Sequence, residues 1–213
     1  MNPSVPRKAV AGLFAAGVLA ACGSATGGSG RGAVLTPAAQ AAADSGRPAY
    51  TAADVYFMSG MIGHHAQAVL MAGWPASHGA SPAVKALSER IVVGQRDEIA
   101  LMQAWLRERR EPVPDGDPSH YTMTGMDHSK LMPGMLTGEQ LAKLDAARGN
   151  AFDRLFLTYM IQHHQGAIAM VEQLFASQGA AQDDNVFEFA SDVHVDQITE
   201  IDFMTKMLAA LAP

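Results

Sequence analysis

The chain has 213 residues, 48% of them hydrophobic, 17% charged and 7% aromatic, which is the balance of a globular protein with one sizeable core. A net charge of −6 with no basic run excludes nucleic acid as a partner, because a phosphate backbone needs a positive stripe to bind it. A single cysteine excludes a disulfide framework and every multi-thiolate zinc or iron–sulfur site, and 13 Met and 8 His stand out against it.

Residues 1–21 read as a secretory leader. Arg7 and Lys8 precede an apolar run from Ala9 to Ala21 that is too short to span a bilayer. The run ends in Leu19-Ala20-Ala21-Cys22, which resembles the lipobox of bacterial lipoproteins. That resemblance implies lipidation of Cys22, export, and anchorage of the mature protein to the outer face of the cell membrane without a transmembrane helix. Cleavage there removes two of the 15 basic residues, Arg7 and Lys8, and takes the net charge from −6 to −8. Residues 22–49, rich in Gly and Ser at their start, form a tether, and the folded domain is expected over 50–213.

Thr51 and Asp54 make a capping-box start, after which Val55, Met58, Met61, Ile62, His65 and Val69 recur at helical spacing up to Gly73. Ser81-Pro82 opens a second helix that carries Val84, Leu87, Ile91, Ile99, Met102, Trp105 and Leu106 toward Arg110. The Pro- and Gly-containing stretch 111–116 breaks it. Thr137 and Gln140 cap a short helix to Ala147, and Asn150 with Asp153 opens a long one to Ser177, with Gly179 as its C-terminal cap. The last helix runs from Asp184 to Leu211 with Val186, Phe189, Val193, Val195, Ile198, Ile201, Met204 and Leu208 as apolar positions. Asp54 and Asp153 are expected to complement helix N-termini. Strand signals are absent.

Laying residues 54–71 over 153–170 pairs Asp54 with Asp153, Phe57 with Phe156, Met61 with Met160, Ile62 with Ile161, His64 with His163, His65 with His164 and Met71 with Met170, without a gap. The following helices match as well, Gln95-x-x-Glu98-Ile99-x-x-Met102 with Gln197-x-x-Glu200-Ile201-x-x-Met204. The chain is therefore a helical hairpin written twice, 51–110 and 137–211, joined by a Met- and His-rich connection over 111–136. Two such hairpins bury their apolar stripes against each other as an all-α four-helix bundle with an approximate two-fold axis, across which the histidine pairs face one another.

The doubled Met-Ile-x-His-His, at 61–65 and 160–164, together with Met132-Pro133-Gly134-Met135, resembles the DUF305 family over roughly residues 50–211. The resemblance implies a ferritin-like four-helix bundle, usually exported, with members linked to copper or silver binding and resistance through Met and His. Many relatives carry an acidic residue just after the His pair. Here Ala66-Gln67 and Gln165-Gly166 follow, which turns the expectation away from a hard, carboxylate-rich site.

Soft thioethers select Cu(I), with imidazole also accepted, and Ag(I) follows the same preference. Met61 precedes His65 by one turn and Met160 precedes His164 likewise, so each helix offers sulfur and nitrogen on one face. His64, His65, Met61, His163, His164 and Met160 form one candidate ligand set. Met123, Met126, His128, Met132 and Met135, with His120 just before them, form a second in a segment where Gly and Pro forbid a regular helix. The competing reading keeps Met61 and Met160 as core residues, with the His pairs hydrogen-bonded to Glu98 and Glu200 and the loop methionines folded over one end of the bundle. Glu98, Glu200, Gln95 and Gln197 enter as outer-shell residues or as hard-metal ligands. His78 and His194 have no counterpart in the other repeat and read as local or surface residues.

The leading expectation is an extracytoplasmic, lipid-anchored protein that binds Cu(I) or Ag(I) for sequestration, resistance or handover, and is not an enzyme. One alternative is a ferritin-like di-iron or di-manganese oxidase or peroxidase, against which stands the absence of any Glu-x-x-His in the sequence. The other is a structural envelope bundle that recognises another protein, a partner of which the sequence gives no signature.

Overall fold

In a computed structural model, residue 46 and residues 50–121 and 132–211 are described. The expected leader, Cys22 and nearly all of the tether lie outside the described residues. So do Met123, Met126 and His128 of the connection.

The described residues are helical, with no strand. Helix α1 spans Ala52–Ala72, α2 Pro82–Arg109, α3 Gly138–Ala146, α4 Gly149–Ala176 and α5 Asp184–Ala210, with a 3-10 turn at Pro118–Tyr121. None of these helices is long and apolar enough to cross a membrane. Thr51 and Asp54 form the expected capping box, as do Thr137 and Gln140, and Ser81 caps α2 with Pro82 in its first turn. The start of α4 differs from the expectation. The helix begins at Gly149, and Arg148 at its N-cap makes no side-chain cap, so Asn150 and Asp153 lie inside it. Its end differs too, because Ser177 is the C-cap and Gly179, at φ +75°, belongs to the following turn.

α1 packs on α2, α4 on α5, and α1 and α4 pack on each other. The Gly149 amide donates to the His78 carbonyl, and the Ala181 amide donates to Asp54 Oδ1 at 2.7 Å. The end of α1 therefore meets the start of α4 and the end of α4 meets the start of α1, which makes the central pair antiparallel. Asp153 accepts from the Ser81 amide at 3.1 Å, so each repeat's aspartate satisfies an amide in the other hairpin. That is how these two carboxylates serve helix N-termini, with Asp153 serving that of α2 in place of its own.

Apolar burial forms two clusters. One, centred on Phe57, Met58, Ile62, Trp105, Leu106 and Phe189, and a second, centred on Met71, Leu87, Ile91, Phe152, Phe156 and Leu157, each contain fully buried large side chains. At about 1.5–3 kcal/mol for each large apolar side chain buried, they dominate the favourable side of folding. Two apolar positions expected to face this core, Val195 and Ile198, instead lie 60% and 46% exposed on the outer side of α5.

Candidate metal centre

Halfway along the central pair the apolar packing gives way to imidazoles. His64 and His65 on α1 and His163 and His164 on α4 are all completely buried, and the rings of His64 and His163 face each other with centroids 3.8 Å apart. The expected confrontation of the two repeats is therefore made by the first histidine of each pair. The helical turn of about 100° between neighbours sends the second histidine of each pair toward the outer helices. His164 Nε2 donates to Glu200 on α5 at 2.6 Å, and His65 Nε2 lies 2.7 Å from the Glu98 carboxylate on α2, off the axis of a hydrogen bond. The two carboxylates are the wet edge of the centre, with side chains 22% and 26% exposed.

The connection closes the opposite side. The carbonyl of Pro133 accepts from His64 Nε2 at 3.0 Å, and Gln67, one turn beyond, exchanges two hydrogen bonds with the Leu136 backbone at 2.7 and 3.0 Å. Gly134 (φ +77°) rests directly on Gly166 of α4, where a Cβ would lie 1.9 Å from the Pro133 oxygen. Residues 132–136 thus form a strap along the groove between α1 and α4. Sequence reasoning assigned no such role to Gln67, Pro133, Gly134 or Gly166. The available signal was that Gly134 falls inside Met132–Met135 and that Gly166 stands two residues after the second His pair.

Burial lowers the His64 pKa from 6.5 to about 3, with the neighbouring His65 adding to the effect. Burial also pushes His163 well below its ordinary value, assisted by His64. These rings are neutral at ordinary pH, the form in which imidazole ligates a metal. His64 and His164 direct Nε2–H at an oxygen, His65 holds Nε2 against one, and the Nδ1 atoms of all three are buried without a hydrogen-bond partner. Both ring nitrogens of His163 lack a partner as well. Each buried orphan costs about 1–3 kcal/mol, so the centre is destabilising unless something binds it. An imidazole oriented through one nitrogen by a carboxylate or carbonyl, with the other left free, is how proteins prepare a histidine ligand. Among the described residues no three His, Asp or Glu side chains already converge as a cage, so a bound ion would draw the rings together.

Met61 and Met160 are fully buried, but in different apolar clusters, where they pack as core side chains. Met135 is buried. Met132 is half-buried, its sulfur accepting from the Tyr56 hydroxyl at 3.6 Å and its methyl lying where a side chain on Gly60 would stand. The two described connection methionines thus pack along the groove rather than over an end of the bundle. His120 is exposed and paired with Asp115 at 3.0 Å. His194 is half-buried, whereas His78 is no surface residue: it is 5% exposed and bonded to the Trp74 carbonyl at 2.9 Å and to Asp145 at 3.0 Å.

Gln95 and Gln197 are buried, only 3% and 2% exposed, three positions before each glutamate, and Gln95 Nε2 and Oε1 and Gln197 Oε1 have no partner. They line a cleft of about 390 Å³ between α2 and α5 together with Arg90, Gly94, Glu98, Asp196, Thr199 and Glu200. Partial burial raises the Asp196 pKa, and the charges of Glu98 and Glu200 raise it further.

The family profile described as "Domain of unknown function (DUF305)" matches residues 54–208. A DUF305 fragment from Deinococcus radiodurans is 28% identical, with a TM-score of 0.64, covering 76% of this chain and 99% of that one. A putative secreted DUF305 protein from Streptomyces coelicolor is also 28% identical, with a TM-score of 0.63 and coverage of 75% and 93%. CopM in its Cu(II)-bound form is 27% identical, with a TM-score of 0.59 and coverage of 75% and 97%, and CopM is also known in Cu(I)-bound and Ag-bound forms. The uncharacterised protein L153 of Acanthamoeba polyphaga mimivirus is 35% identical over 57 residues, spanning 27% of this chain and 38% of that protein.

Proposed function

The chain belongs to the DUF305 family, and on that premise we propose that it binds a soft metal ion, Cu(I) or Ag(I), at the histidine centre of its bundle and sequesters it or passes it on. The observation that carries this reading is the set of buried, neutral imidazoles whose Nδ1 atoms have no partner while Nε2 of three of them is held against an oxygen. A metal ion satisfies such nitrogens where no protein group does. His64, His65, His163 and His164 are its nitrogen donors, with Glu98 and Glu200 orienting two of the rings. Sulfur comes from Met61 and Met160 or from the connection, where Met123, Met126, Met132 and Met135 flank His128 in the sequence. The structural likeness to CopM, a protein seen with both copper and silver, supports the choice of metal.

The protein works outside the cytoplasm, held to the membrane through a lipid on Cys22 and a tether over 22–49. The leader-like first 21 residues and the lipobox-like Leu19–Cys22 support this placement.

Anaerobic titration of residues 23–213 with Cu(I) against a chromogenic chelator, followed by X-ray absorption, tests the reading. Stoichiometric binding with nitrogen and sulfur scatterers is expected, and failure to compete with the chelator would return the histidines to a structural role. Met61→Leu with Met160→Leu keeps volume and removes sulfur, so unchanged Cu(I) affinity in that pair would move the sulfur donors to the connection.

A further inference from the structure

The two sides of the histidine centre are unlike. On one, the strap seals His64 by backbone contact, with Pro133 and Gly134 resting on Gly166. On the other, the cleft between α2 and α5 runs inward to Glu98 and Glu200, the carboxylates that touch His65 and His164.

Three features of the cleft lack a structural purpose. Gln95 and Gln197 hold three amide atoms, buried and without a hydrogen-bond partner, in its lining, which costs stability. Glu98, Glu200 and Asp196 gather like charges that outnumber Arg90 in the same lining, whose guanidinium lies over the Phe203 ring, 5.0 Å from its centroid. Gly94 stands in the middle of α2, where glycine costs roughly 0.5–1 kcal/mol relative to alanine, although a Cβ there would meet nothing within 4 Å. A side chain at 94 is absent from the lining of the cleft, at an exposed position with room for one. Negative charge, amide oxygens and vacant volume in one place suit a cation on its way in.

Resting on the metal reading above, we propose that the cleft between α2 and α5 is the passage through which the cation enters and leaves, with Glu98, Glu200 and the amides of Gln95 and Gln197 carrying it to His65 and His164. It is a passage rather than a store, because the unpartnered imidazole nitrogens that suit a soft ion lie inward of it, at the histidine centre. The strap side stays closed during exchange.

A plug in a passage slows both directions alike and leaves the equilibrium where it was. Gly94→Phe fills the cleft from α2, and Thr199→Phe, at an exposed cleft residue, fills it from α5. Cu(I) supplied in dilute acetonitrile is mixed with the protein, and a chromogenic chelator added at timed intervals reports the ion not yet bound. Release is followed into excess chelator. In each variant both rates are expected to fall by at least about tenfold, with the dissociation constant within about twofold of the unmodified chain and an unchanged circular dichroism spectrum. Unchanged rates in both folded variants would place entry elsewhere and overturn the proposal, as would a weakened affinity with faster release, which would make the cleft part of the binding site itself. Failure of the unmodified chain to bind Cu(I) at equilibrium would overturn the metal reading and this one with it. The titration shows that outcome separately from the rates.

Discussion

His64 shows what one residue contributes. In the unfolded chain its ring takes a proton as pH falls through 6.5, but in the fold only near 3, because burial opposes the charge. Between those values the unfolded state binds more protons, so stability is lost as pH falls, by up to about 1.4 kcal/mol per pH unit for such a group. His163 acts in the same direction. The denaturation midpoint of the metal-free protein is therefore expected to fall steadily from pH 7 to 4, and His64→Leu with His163→Leu should flatten that slope. An identical slope in the variant would assign acid sensitivity to other groups. Two glycines offer a paired test at the same scale. Gly166→Ala drives a Cβ into Pro133 and should cost about 1–3 kcal/mol, whereas Gly94→Ala meets open space and should gain about 0.5–1 kcal/mol, both readable in urea unfolding.

Among the elements, the apolar clusters that join the hairpins are supplemented by polar ties, of which those of Asp54 and Asp153 are unequal. Asp54 accepts from the Thr51 amide at 2.6 Å, from its hydroxyl at 2.8 Å, and from the Ala181 amide across the bundle at 2.7 Å, whereas Asp153 serves the Ser81 amide alone. Asp54→Ala should cost about 2–4 kcal/mol and Asp153→Ala about 1–2, an order that thermal denaturation of the two variants checks. The strap depends likewise on Gln67, whose removal leaves the Leu136 amide and carbonyl buried and unpaired. Gln67→Ala should speed hydrogen exchange at residues 134–136 without altering exchange in α5. Uniform acceleration throughout the bundle would mean that the strap unfolds only with the whole domain.

For the whole molecule, the centre exchanges stability for binding. Its orphaned nitrogens lie between two well-packed apolar clusters, so replacing all four histidines with leucine should raise the melting temperature of the metal-free protein. The unmodified protein, by contrast, should gain about 2.7 kcal/mol when free Cu(I) reaches a hundred times its dissociation constant, and the leucine variant should gain nothing. Differential scanning calorimetry with and without metal distinguishes the two. A metal-dependent rise that survived the four substitutions would put the ion elsewhere.

Helical periodicity, the caps at Thr51, Ser81 and Thr137, and the doubled Met-Ile-x-His-His were local signals, and from them the sequence by itself determined the helices, the repeat, the family and the meeting of histidines across the bundle. The start of α4 escaped it because Arg148 makes no side-chain cap, so nothing marks that position. Val195 and Ile198 look like core residues in a list of apolar positions, and only the packing of α5 puts them outside. The division of labour within each His pair, the sealing of one side by Pro133 and Gly134, and the cleft beside Gly94 were decided by the tertiary structure. Each of these depends on which face of a helix meets which neighbour, and residues 36 to 127 positions apart in the chain carry no mark of that meeting until the bundle closes.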